Sequence, residues 1–473
     1  MPANFNCRAG HLLFFAALCL MGTKELCADT LYQTTEKAYL GSETWNDGST
    51  RAVAGNHYVL EKLSDGTAVR LGLPSDVTSY TFDGDSLTIR SGCSFHFLNV
   101  AQGGSTFICN NLRMGDGAFI AGNGNNSKRT SLTVGLKDTS TKLNIEGSVE
   151  IRTGSGKNAT IYSDITGSGV LKLCGWENGS AAYANYYLRG NNSGFKGRID
   201  TTRAFQNDAE KSFNSENPPS QVDIAGRKNL GGTLSELDSE ALVLADYVSF
   251  ITGNNESIKL EKASNRGVAV VNGATISNAK NFEIETKLSL HGELRKNKTG
   301  KLILSGQATG FGPDGTWSKP ESQNGYINNV LKIYEGGLVI GSTDVIRSVS
   351  VGFAAGTTFE LRPDFGNEEF LRYGIRNNTM SEPFKLGSGL TSLPFSIAAA
   401  KGKPKSGVPF RMGLFTVHYT KCKQVDMIRQ SVAAIQYPIR GFEGKLVEIV
   451  DAATGEVTFA IDYMPKGVHI VVR

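Results

Sequence analysis

From Tyr58 to Leu361 the chain is a succession of short runs in which apolar side chains alternate with polar ones, each run closed by Gly, Asn or Asp. YVLEKL, SLTIRSG, SFHFLNV, KLNIEGSVEIRT, GVAVVNGATI and VLKIYEGGLVIGS are typical. A period of two sets one face of a strand against a core and the other toward water. The pattern therefore predicts an all-β chain. Only KQVDMIRQSVAAIQ, from Lys423, has the spacing of an amphipathic helix.

More than a dozen such strands could build several sandwiches, a propeller or a solenoid. Blade motifs and Cys…Trp…Cys markers are missing, whereas glycine-bracketed strands recur, as ITGSGVLKLCG from Ile165 and NKTGKLILSG from Asn297. Both set leucines two residues apart, Leu171 with Leu173 and Leu302 with Leu304. One coil of a solenoid cannot bury its own inward side chains, so coils stack and each strand pairs with its counterpart in the next. The expected fold is a parallel β-helix, or β-solenoid, over residues 58–400. A cap at 29–57, with Trp45, is expected before it, and a linker with a small C-terminal β closing unit and one short helix at 401–473 after it. At roughly 20–30 residues per coil, about 10–15 coils stack, and the leucine phrases are expected at equivalent positions in different coils.

Composition sharpens this. With 55 glycines against 13 prolines, turns are made by residues that tolerate positive φ. The apolar run Leu12 to Met21 behind Arg8, with small Ala28 after it, reads as a secretory signal over 1–28. The expected mature chain from Asp29 carries 47 basic and 44 acidic residues, a balance that gives no electrostatic case for nucleic acid. No later segment approaches the length of a membrane helix, so no transmembrane segment is expected once the signal is removed. A secreted or bacterial cell-surface protein is expected. Cys93, Cys109, Cys174 and Cys422 then remain. Either Cys93 and Cys109 close a disulfide across a Gly-Gly turn, or all four are small buried hydrophobes. No Cys or His spacing suggests zinc, and no cofactor is expected.

The phrases GSGVLKLCG from Gly167, SGFKGRIDT from Ser193, NLGG from Asn229, NRGVAVVNGATI from Asn265 and TGKLILSG from Thr299 resemble bacterial surface and secreted proteins with autotransporter-associated β-strand repeats. The resemblance covers roughly residues 161–361 and implies a right-handed coil in an exported, non-enzymatic passenger. Autotransporters proper end in a large membrane barrel, whereas this chain stops at Arg473 after a short closing unit.

Chemistry is sparse. The clusters GSG and GNGNNSK lack the Gly-Lys-Ser/Thr and the following helix of a phosphate loop. The histidines His57, His96, His291, His418 and His469 are scattered, and no serine sits in a Gly-x-Ser-x-Gly elbow. The candidate carboxylate pairs are Asp83 with Asp85, Glu283 with Glu285 and Glu368 with Glu369, and Glu283 and Glu285 share a strand face about 7 Å apart, a spacing a glycosidase acid and base can have. A solvated face accounts for them as well. Trp176, Tyr183, Tyr186, Tyr187 and Trp317, in two unequal insertions, are the candidate glycan contacts. The expected function is a surface or extracellular scaffold, adhesive or glycan-contacting through lateral loops, with glycans or other surface proteins as partners. The alternative is a carbohydrate-active β-helix enzyme, a polysaccharide lyase or hydrolase.

Overall fold

The computed structural model describes residues 29–466 apart from 75, 98–103, 123–129, 154–155, 176–183, 203–219, 246–247, 253–255, 272, 307–329 and 348. Its strands form three long parallel walls. The first wall opens with six strands, from Thr30–Tyr32 to Asp164–Gly167. The 3-10 turns Asn192–Gly194 and Arg227–Leu230 then take the strand's place for two coils, and six more strands follow from Ile258–Leu260 to Phe395–Ile397. The second wall has ten strands, from Lys37–Tyr39 to Leu288–His291, and the third twelve, from Ser79–Thr81 to Phe384–Leu386. The chain is a parallel β-solenoid, as the alternation predicts. Stacked at about 4.8 Å per strand, the third wall runs about 50 Å.

The period-two pattern decides what lies inside. Leu87, Leu112, Leu143 and Ile165 stand in one inward row of the first wall, and Val149, Leu171 and Ile199 in one of the second. All seven are buried. Leu171 and Leu173 point inward as expected, and so do Leu302 and Leu304.

The expectation that these two leucine phrases occupy equivalent positions is corrected. Val170–Gly175 belongs to the second wall and Lys301–Leu304 to the first. What the phrases share is the corner in front of the strand. A Cβ on Gly169 would lie 2.2 Å from the carbonyl oxygen of Gly147, and one on Gly197 1.8 Å from that of Gly169, so these glycines form a column at one corner. At another corner a Cβ on Gly300 would lie 2.0 Å from the Lys280 oxygen and one on Gly336 2.2 Å from the Gly300 oxygen. Every wall needs an inward pair and every tight corner needs a bare backbone, so the phrase repeats by wall rather than by coil.

Both ends are closed by aromatic side chains. Thr30–Tyr32 and Lys37–Tyr39 pair parallel with the next coil, so residues 29–57 form a first coil as well as an end. Trp45, 2 % exposed, stands 4.5 Å from the Tyr58 ring and begins a ladder that continues to Phe82 and Phe107. At the other end, Ile375–Asn377, Phe410–His418, Glu456–Pro465 and Phe442–Asp451 make a four-stranded sheet in that order, with the expected helix at Val425–Ala433. A second helix, Glu368–Tyr373, packs on it, so this unit draws in residues well before 401. Phe415 seals the last coils, 4.5 Å from Phe395, 5.8 Å from Phe384 and 5.9 Å from Phe359.

Cys93 and Cys109 are free and buried, and so is Cys422. This corrects the disulfide alternative: Cys93 leads into a strand of the second wall and Cys109 follows one of the third, so the two thiols belong to different walls. Burial pushes the Cys109 thiol up to about 12, the signature of an inert small hydrophobe. No helix among the described residues is long and apolar enough to cross a membrane.

Candidate functional site

The carboxylate pair comes first. Glu283 lies outward on Phe282–Ile284 of the first wall, three coils from Glu360 on Thr358–Leu361. Burial alone would raise its carboxyl, but hydrogen bonds from Arg362 and from the Ser305 hydroxyl, the latter at 2.6 Å, outweigh it and hold the group below its ordinary value. Glu285 is paired with Lys259 at 2.8 Å. A glycosidase acid needs the opposite shift, so that it still carries a proton near neutral pH. Here Glu283 is held ionised by a guanidinium from another coil, and Glu285 is met by an ammonium.

The same construction recurs along the rod. Lys301 donates to Glu360 at 2.6 Å, Lys332 to Glu293 at 2.5 Å, and Arg198 to Asp238 at 2.7 Å and Glu240 at 3.0 Å. Each pair spans coils, because parallel stacking sets residues from successive coils side by side on the outer face.

A serine and histidine also meet. Ser94 Oγ and His96 Nε2 lie 2.8 Å apart on the second wall. The pair is buried, and among the described residues the other ring nitrogen has no partner to orient it. Burial, helped by Arg70 and Arg152, lowers the imidazole to about 3, so it is neutral at physiological pH. Without a carboxylate to fix the tautomer and without exposure, the pair lacks the geometry of a nucleophile and base.

An open groove of about 890 Å³ marks the place where the first wall loses its strands. Ser168, Lys196, Arg198, Thr233, Ser235 and Asp238 line it, with Leu237 half-exposed. The local fold follows from asparagines. Asn192 Nδ2 donates to the Asn229 carbonyl at 2.7 Å while its Oδ1 accepts from Ile165 N at 2.9 Å, and Asn229 Nδ2 donates to Gly190 at 2.7 Å. Arg266, 2 % exposed, then donates to the carbonyls of Gly232 at 2.6 Å, Gly197 at 2.9 Å and Phe195 at 2.6 Å. Buried amides and a guanidinium thus replace the missing ladder, and the groove walls cannot collapse without orphaning these groups. The sequence phrases NNSG and NLGG are these turns. Sequence reasoning missed the groove because its lining comes from three coils.

The candidate glycan contacts divide. Trp176, Tyr183 and Trp317 lie outside the described residues. Tyr186 and Tyr187 belong to the third-wall strand Ala184–Leu188 rather than to an insertion. Alternation turns Tyr186 inward, where it is buried and its hydroxyl donates to the Ile151 carbonyl at 3.2 Å. Tyr186 is therefore corrected to a core residue. Tyr187 is half-exposed, with the Arg189 guanidinium 5.1 Å from its ring centroid. Among the described residues no group of three or more metal-ligating side chains converges.

No protein-family model matches this chain, and no curated protein or solved structure matches it either.

Proposed function

We propose that the chain is an exported, non-enzymatic scaffold of the bacterial surface or extracellular space, of the autotransporter-associated repeat kind, that holds lateral glycan contacts on a rigid rod. The observation that supports it is the use of charge. The outward carboxylates with acid and base spacing are spent on ion pairs between coils, which stiffen a stack, and the Glu283 carboxyl is held below its ordinary value, away from a proton donor's range.

The contacts belong in two places: the insertions with Trp176 and Trp317, and the groove beside Arg198. Hydroxyls, a guanidinium and carboxylates side by side suit a ligand rich in hydroxyl groups, which both donates and accepts. A glycan array probed with the purified chain and with Trp176→Ala, Trp317→Ala and Arg198→Ala is the test. Binding that at least one variant abolishes is expected. Binding to no glycan refutes the contact, and release of sugar fragments from a polysaccharide panel refutes the non-enzymatic reading.

A further inference from the structure

The sheet of the closing unit ends on Phe442–Asp451, which pairs with Glu456–Pro465 on one side and with no described strand on the other. The direction of its free groups follows from its ladder. Lys466 N–H donates to the Gly441 carbonyl at 2.8 Å, so the odd-numbered residues of this strand exchange bonds with their neighbour. Phe442, Gly444, Leu446, Glu448 and Val450 then aim N–H and C=O at the open edge. The Phe442 N–H is already taken by the Ile439 carbonyl at 3.0 Å, but its carbonyl faces out with the rest.

Natural edges are kept short, bulged, covered or interrupted by proline, because a bare ladder recruits another strand. This edge is ten residues long, has an unbroken register and contains no proline. It also carries aliphatic side chains on both faces. Leu446 is 39 % and Val450 59 % exposed, and Val447 and Ile449 are half-buried.

We infer that this edge docks a second copy of the same chain, antiparallel and two-fold symmetric about Leu446. The argument is self-complementarity. The five outward residues are symmetric about Leu446, so Phe442 meets Val450, Gly444 meets Glu448 and Leu446 meets itself, which forms about eight backbone bonds. Between them Glu443 faces Ile449 and Lys445 faces Val447, so no like charges oppose directly. Centring on Val447 would set Glu443 against Asp451, and centring on Glu448 would oppose two glutamates. Centring on Gly444 would leave much of the edge unpaired. One register both satisfies the edge and avoids repulsion, and a two-fold pairing closes at two copies.

Sedimentation velocity tests this. The purified chain is expected to pass from monomer to dimer below about 100 µM. Leu446→Lys and Leu446→Glu each place like charges face to face and are expected to stay monomeric, with circular dichroism unchanged because the side chain lies at an exposed edge. An equimolar mixture of the two variants is expected to recover the dimer, since position 446 then meets its opposite charge. A wild-type chain that remains monomeric, whether its edge is bare or held by residues 467–473, overturns the inference. So does a dimer that survives both substitutions, or a mixture that fails to pair. The readout is mass, so it stands or falls separately from glycan binding.

Discussion

The glycine column gives the sharpest test of why this sequence is written as it is. Alanine at position 169 would put a methyl 2.2 Å from the Gly147 oxygen and 2.7 Å from its nitrogen, where about 3.4 Å is the ordinary limit. The coils must then part by about 1 Å at a corner held by Gly169 N to Ile145 O at 3.0 Å and Val170 N to Gly147 O at 2.9 Å. Two weakened backbone bonds at about 1 kcal/mol each, plus about 1–3 kcal/mol of overpacking, give a loss of about 3–5 kcal/mol. Gly115 is the control, because a methyl there meets nothing closer than 3.6 Å and its φ is not positive. Gly115→Ala is expected to be neutral, or to gain about 0.4–1 kcal/mol by restricting the unfolded chain. Urea unfolding followed by far-ultraviolet circular dichroism measures both. If Gly169→Ala lies within about 0.5 kcal/mol of Gly115→Ala, the steric account of the column is wrong.

Phe415→Ala removes the ring on which three end-coil phenylalanines converge and is expected to cost about 3–5 kcal/mol, seen as a lowered thermal midpoint; a loss under about 1 kcal/mol would mean the closing unit does not seal the stack. His96 is lowered to about 3 from 6.5, so the unfolded chain binds the proton first and stability falls as pH drops from about 6.5 toward 3, by on the order of 3–5 kcal/mol. His96→Asn is expected to flatten that part of the acid limb, and an unchanged slope would refute the assignment. Lys296 is lowered to about 8 from 10.5 by burial, so the sign is the same as for His96 and stability rises with pH between about 8 and 10.5. Lys296→Met is expected to lose that rise in denaturant midpoints measured across the same range.

The wall-forming strands were legible because period-two alternation is a local property of four or five residues, and burial of Leu171 and Leu173 needs nothing else. Stacking was legible from the recurrence of the glycine bracket. The assignment of each phrase to a wall was not, because Val170–Gly175 and Lys301–Leu304 satisfy the same local demands while turning different corners. Lys296 follows the alternation, two residues after inward Leu294, against what its charge suggests. In ELRKN it reads as an outward cation, yet its row continues from Ile276 to Ile333, and its ammonium reaches the carbonyls of Asn297 at 2.8 Å and Lys298 at 2.6 Å. A lysine stem long enough to bridge core and corner can occupy an inward place that its charge alone would forbid.

The surface chemistry was the least legible, for a reason built into solenoids. Neighbours on an outer wall are separated in sequence by whole coils, as Glu283 is from Arg362 and Arg198 from Asp238, so no local motif marks them. Reading Glu283 with Glu285 as a pair followed the strand, but the decisive contacts run across it. That crossing direction is what the scaffold proposal rests on. A catalytic acid depends on being the group its neighbours fail to neutralise, whereas each of these is met by a cation that also ties one coil to another. Releasing such a carboxylate for catalysis would loosen the stack that positions it. Under the proposed function, recognition accordingly belongs where coils depart from the regular wall, at the groove beside Arg198.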